Sequence, residues 1–140
     1  MKKFIAYLYL TVLLFAYPDS VLSQQWHIAK QVNVAWTPSD GSAVTPPIPQ
    51  NEISYYVYLS DAMTDPEKLT PSKIGATPNT KFQIIVEIPG RYFIGASAIR
   101  TVGGEVTGES DISWSDTGNT PWGIQYYIIP PTPTGLKVLS

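Results

Sequence analysis

The sequence has no cysteine, a single histidine, and charged residues at only 14% of its 140 positions. Without cysteine, a disulfide, a thiolate metal site, a thiol nucleophile and a lipid-modified cysteine anchor are all excluded. The charged fraction falls well below the roughly 25% of an average soluble protein. Nine Lys and Arg stand against eleven Asp and Glu, a formal net charge of −2. Phosphate backbones are bound by a basic excess, so the balance argues against nucleic acid as a partner. No Asn-x-Ser/Thr acceptor occurs, and no stretch shows a helical apolar period. Thirteen prolines and ten glycines further oppose long helices. The length suits one domain.

What is present begins with an address. Met1-Lys2-Lys3 is a short positive start, residues 4–16 are mostly apolar, and Pro18 and Asp19 end the run. Val21-Leu22-Ser23 offers a cut before Gln24. The pattern reads as a secretory signal peptide over residues 1–23, with a secreted or periplasmic product. Thirteen apolar residues at ~1.5 Å each span only ~20 Å, short of a ~30 Å hydrocarbon core, so no membrane association is expected after its removal.

The remainder reads as short strands. Residues 31–36 alternate, with Val32, Val34 and Trp36 on one side. Residues 53–59 alternate again, with Ile53, Tyr55, Val57 and Leu59 opposed to Ser54, Tyr56 and Tyr58. Residues 73–77 read as an edge strand and residues 81–88 as a strand with Phe82, Ile84, Val86 and Ile88 in phase. After the Pro89-Gly90 turn, residues 91–101 set Tyr92, Ile94, Ala96 and Ala98 against Phe93, Gly95, Ser97 and Ile99. Gly103-Gly104 turns the chain into a last strand over 106–114. Between 37 and 51, Pro38, Pro46, Pro47 and Pro49 mark a connection, because proline cannot donate to a ladder. Strands spaced this closely indicate an all-β, antiparallel sandwich.

Four motifs in order resemble a fibronectin type III domain over about residues 28–116. They are Val32-Asn33-Val34-Ala35-Trp36-Thr37-Pro38, Tyr55-Tyr56-Val57, Pro89-Gly90-Arg91-Tyr92 with its small apolar continuation, and Gly108-Glu109-Ser110. The resemblance implies an immunoglobulin-like sandwich over 24–117 and a role in adhesion, scaffolding or spacing. It also implies that Tyr92 is a corner tyrosine whose hydroxyl bonds nearby backbone. The family's opening Pro-x-Pro-x-x-Leu-x-Val strand is missing from residues 24–30. It stands instead at Pro131-Thr132-Pro133-Thr134-Gly135-Leu136-Lys137-Val138, within a C-terminal β extension over 118–140. A missing first strand leaves an open edge. Three readings are open: the tail fills its own edge, it fills the edge of a second copy and makes a homo-oligomer, or it is the stub of a further domain.

Residues that would carry chemistry are sparse. His27 has no nominated partner. Gly108-Glu109-Ser110 runs on to Asp111, so no nucleophile elbow forms, and Gly103-Gly104 lacks the Lys-Ser/Thr of a phosphate loop. Glu105, Glu109 and Asp111, like Asp61, Asp65 and Glu67, read as solvated loop carboxylates before they read as calcium ligands. The expectation is no catalysis, no cofactor and no metal.

The aromatics point elsewhere. Trp36, Tyr55 and Tyr92 have core parity. Tyr56, Tyr58, Phe93 and Ile99 have the opposite parity on two strands that neighbour each other in a fibronectin-type sheet. A wet sheet face should be polar, and aromatics of ~150–250 Å² each make a patch that must be covered or bound. The segment 122–129 is apolar and strand-like; it either covers this face or pairs along an edge. Alternatively Tyr56, Tyr58, Phe93 and Ile99, joined by Trp122 and Tyr126, form an interaction face for a protein or a glycan. Self-assembly by strand donation and a polysaccharide-binding accessory role are the alternatives to a general contact module.

Overall fold

A computed structural model describes residues 23–135, 137 and 138. The expected signal segment, but for Ser23, lies outside them. Among the described residues no helix is long and apolar enough to cross a membrane.

The chain is all-β. Nine strands run in order: β1 (Gln25–Ile28), β2 (Gln31–Ala35), β3 (Ile53–Asp61), β4 (Ser72–Thr77), β5 (Lys81–Ile85), β6 (Gly90–Val102), β7 (Glu105–Glu109), β8 (Ser113–Trp114) and β9 (Trp122–Tyr126). A seven-stranded sheet has the order β1-β9-β6-β3-β4, with β7 and β8 also paired to β6; β2 and β5 form a second sheet. All pairings are antiparallel except β1 with β9, which is parallel.

β6 is the spine. Its thirteen residues pair with β3 along one edge and, along the other, successively with β9, β8 and β7. The register sets Tyr55 opposite Ala98, Val57 opposite Ala96 and Leu59 opposite Ile94. Side chains alternate across a strand, so these residues share one face. That face meets the small sheet in one cluster: Val57, Ile94 and Ile124 from the large sheet, Val34 and Ile84 from the small one, and Val86 just past β5. Val57, Ile84 and Ile124 are completely excluded from solvent. Tyr55 is buried; Trp36 and Tyr92 are half-buried and pack against the cluster. The Tyr92 hydroxyl donates to the Ile88 carbonyl at 3.0 Å.

The alternating segments form where their pattern places them, with three differences. The strand expected over 81–88 ends at Ile85, and only the Val86 amide continues the ladder, to the Lys30 carbonyl at 2.8 Å. The strand expected over 106–114 splits into β7 and β8. Its register shifts beside Arg100, and Ser110 turns its amide and hydroxyl onto the backbone of Ala98. Residues 24–30, in which no strand was expected, contain β1. β9 lies in the segment assigned to the C-terminal extension and is a full member of the large sheet, whereas residues 127–135, 137 and 138 form no strand.

Candidate aromatic–cationic face

The face of β3 and β6 that points away from the core carries Tyr56, Tyr58, Phe93 and Ile99, as their parity requires. It is not an open apolar patch. Tyr58, Phe93 and Ile99 are buried, at 7%, 8% and 4% exposure, and Tyr56 is half-buried. Trp122 and Tyr126 do not belong to this face. β9 pairs along the β6 edge and turns Trp122, Ile124 and Tyr126 to the core side, where Trp122 and Tyr126 pack against the buried cluster. The expected six-residue face is thus corrected to four residues, three of them covered.

The cover comes from five separate segments, and each piece has a local cause. β1 sets Trp26 beside Gly123, whose missing side chain leaves room for the indole; a Cβ there would sit 2.6 Å from Trp26 Cζ3. Trp26 stacks on Phe93 with ring centroids 5.6 Å apart, and the Arg91 guanidinium lies 5.2 Å from the indole ring. The β3–β4 loop folds over the next position. There the Asp65 carboxylate accepts the amides of Leu69 and Thr70 at 2.9 and 2.8 Å, and buried Ser60 donates to the Asp65 carbonyl at 2.9 Å. These bonds hold the Asp65 carboxyl below its usual range, the Thr70 amide being the largest cause. The closed turn delivers Lys68, in a left-handed conformation (φ 58°), between Phe93 and Trp114. Its ammonium lies 4.9 Å and 5.7 Å from the two ring centroids and 2.7 Å from Asp116. Trp114 is seated over Gly95, its pairing partner.

At the other end, β4 contributes Lys73, whose ammonium sits 3.3 Å from the centroid of Tyr56 and 5.9 Å from that of Tyr58. Each such contact is worth about 0.5–2 kcal/mol. β7 contributes Glu109, one carboxylate oxygen of which accepts from both the Tyr58 hydroxyl and, at 2.6 Å, the Ser97 hydroxyl. The Glu109 carboxyl is held below its ordinary value by the Ser97 hydroxyl first and the Tyr58 hydroxyl second; Lys73 adds to this. The Tyr58 phenol is pushed up, by burial first and by Glu109 second. A protonated phenol and an ionised carboxylate are the arrangement that this hydrogen bond requires.

A lowered carboxyl makes stability depend on acid. The contribution of Glu109 is complete above its ordinary pKa of 4.5 and is lost as pH falls through the lower folded value. Glu109 lies at an exposed rim, so the charged part of the bond is worth less than about 1 kcal/mol. In thermal melts between pH 7 and pH 3, Glu109→Gln is expected to melt below the parent at neutral pH. The gap should close under acid; a gap independent of pH would show that the charge contributes nothing.

The other nominated groups are engaged singly. His27 is exposed on β1, edge-on to Trp122 at 5.6 Å. Asp61 accepts the Met63 and Thr64 amides. Among the described residues no three His, Asp or Glu side chains converge as a metal site would require. The residues that sequence reasoning missed here are Trp26, Lys68, Lys73, Arg91 and Trp114. Lys73 alone carried a signal, since an edge strand starting there can lay it across the outward tyrosines. The exposed surface of this face is therefore Arg91 with Trp26 at one end and Lys73 with Tyr56 at the other. No protein-family model matches the chain, and no curated protein is significantly similar to it.

Proposed function

We propose that the protein is an exported, non-catalytic contact module built on an immunoglobulin-like sandwich of the fibronectin type III kind. The strand order supports the fold: β1-β9-β6-β3-β4 faces β2-β5 across one core, with Trp36 following β2 and the Tyr92 hydroxyl closed on the backbone four residues back. Fold alone selects no role. The observation that carries the contact role is the pairing of half-buried aromatic rings with cations on the outer sheet face, Tyr56 under exposed Lys73 and Trp26 under exposed Arg91. An aromatic ring offers an apolar body at low entropic cost, and a cation over it offers donors to a carboxylate or hydroxyl. The partner chemistry that fits is a protein or glycan presenting acidic or hydroxyl groups.

The test is an array of glycans and surface proteins probed with the parent and with Tyr56→Ala/Lys73→Ala. Both changes are at partly or fully exposed positions and leave the Tyr58–Glu109 bond in place. The parent is expected to bind and the double variant to lose at least tenfold in affinity, since two such residues at the centre of an interface typically contribute more than about 1.4 kcal/mol together. Equal binding by the two proteins, or no binding by either, removes this face as the contact site.

A further inference from the structure

β2 is paired on one side only. Its ladder with β5 uses the backbone groups of alternate residues, as the bonds from Val86 to Lys30 and from Trp36 to Thr80 fix. The amides and carbonyls of Gln31, Asn33 and Ala35 therefore point away from β5 and find no hydrogen-bond partner among the described residues. β1, in the other sheet, is likewise paired only with β9. Between these two free edges runs an open seam. A cavity of about 370 Å³ lies along it, and a second of about 160 Å³, which shares Val34, Ala35 and Trp122 with the first, continues from it between β2 and the β6–β8 pair. Val32, Val34, Trp36 and Trp122 give it an apolar lining, and Gln25 and His27 edge it. The Trp36 indole N–H is buried without an acceptor. A free strand edge, an apolar lining and an unused buried donor together describe a slot for one more strand.

The chain carries a segment whose sequence suits such a slot. Residues 127–135 leave β9 exposed, with Ile128 and Ile129 at 70% and 75% exposure. Pro130, Pro131 and Pro133 bar this arm from a ladder and stiffen it. Beyond it stand Leu136, Lys137, Val138, Leu139 and Ser140, with Leu136 and Val138 on one parity. β9 ends beside Ala29, at the end of the seam where β2 begins. Nine extended residues reach ~28–30 Å, whereas β2 spans only ~17 Å. The arm is thus long enough to reach a second copy, and a direct return into its own seam would run parallel to β2, the slightly weaker pairing per residue. A second copy is free to enter in the antiparallel sense.

We propose that the β1–β2 seam accepts residues 136–140 of a second copy as an added strand antiparallel to β2. The inference rests on the contact-module reading and names one partner for it, on a surface separate from the Tyr56–Lys73 face.

The test uses the product purified after expression of the full sequence. Two variants remove one half of the contact each: Asn33→Pro in the acceptor, and a stop after Ile129 in the donor. The Asn33 amide faces away from β5, so proline there leaves the existing ladder whole. Sedimentation from micromolar to near-millimolar concentration is expected to show dimers or longer chains for the parent and monomers for each variant. A mixture of the two variants should form a one-to-one complex, because one keeps the donor and the other the acceptor. A parent that stays monomeric, association that survives either change, or a mixture that does not associate overturns the proposal. So does a truncated protein that is merely less stable in a monomeric parent, which would place the tail in its own seam. A second measurement is independent of the fold of Asn33→Pro. A synthetic peptide of residues 130–140 should shift the tryptophan emission of the truncated protein and a scrambled peptide should not; equal responses overturn it. Array binding through Tyr56 and Lys73 is unaffected by Asn33→Pro, so the two readings fail separately.

Discussion

Replacing Ile124 with alanine is expected to lower unfolding free energy by about 2–5 kcal/mol, the range for truncating a fully buried aliphatic side chain. Ile124 has no exposed surface and touches a cluster drawn from both sheets. At a urea m-value of about 2 kcal/mol/M, the denaturation midpoint should fall by about 1–2.5 M. The control is Ile128→Ala, two residues beyond β9 and 70% exposed, where a change within about 0.5 kcal/mol is expected. The contrast decides where the folded body ends. Similar small effects at both positions would detach β9 from the core and return the whole segment after residue 117 to the status of a tail.

Gly95→Val is expected to destabilise by about 1–3 kcal/mol or more. The sign is the informative part. On an open sheet face, valine in place of glycine raises strand propensity and lowers the entropy of the unfolded chain, which stabilises. Here a Cβ would lie 2.5 Å from Ile112 Cγ2 and 2.9 Å from Trp114 Cε3 and Cζ3. Real contacts of that kind do not occur, so Trp114 must leave its seat beside Lys68. Melting temperature and tryptophan emission should move together, the first down and the second to the red. A more stable Gly95→Val protein would mean that the outer face is uncovered after all.

The strands that were legible are those whose own residues carry the pattern. β2, β3 and β6 each show alternation over five or more residues, and Pro89-Gly90 and Gly103-Gly104 punctuate β6. The parity of Tyr56, Tyr58, Phe93 and Ile99 was legible for the same reason. Their burial was not, because the residues that cover them lie up to 67 positions away, as Trp26 does from Phe93. No local window contains both partners of such a contact. β1 was hidden for a related reason. Gln25-Trp26-His27-Ile28 is too short and too polar to signal a strand, and it exists as one only through parallel pairing with β9, almost a hundred residues later. The split between β7 and β8 turns on Ser110, whose amide and hydroxyl close on the backbone of Ala98 twelve residues away, a pairing no local window shows.

That parallel pair has a mechanical consequence. In an antiparallel pair joined by a hairpin, tension on the two ends peels hydrogen bonds apart one after another. β1 and β9 run in the same direction, so a load applied through the segments before Gln25 and after Tyr126 pulls the two strands lengthwise past each other. All bonds between them, with those from Gln25 to the Pro121 carbonyl and from Ala29 to the Gln125 carbonyl at either end, then share the force in shear.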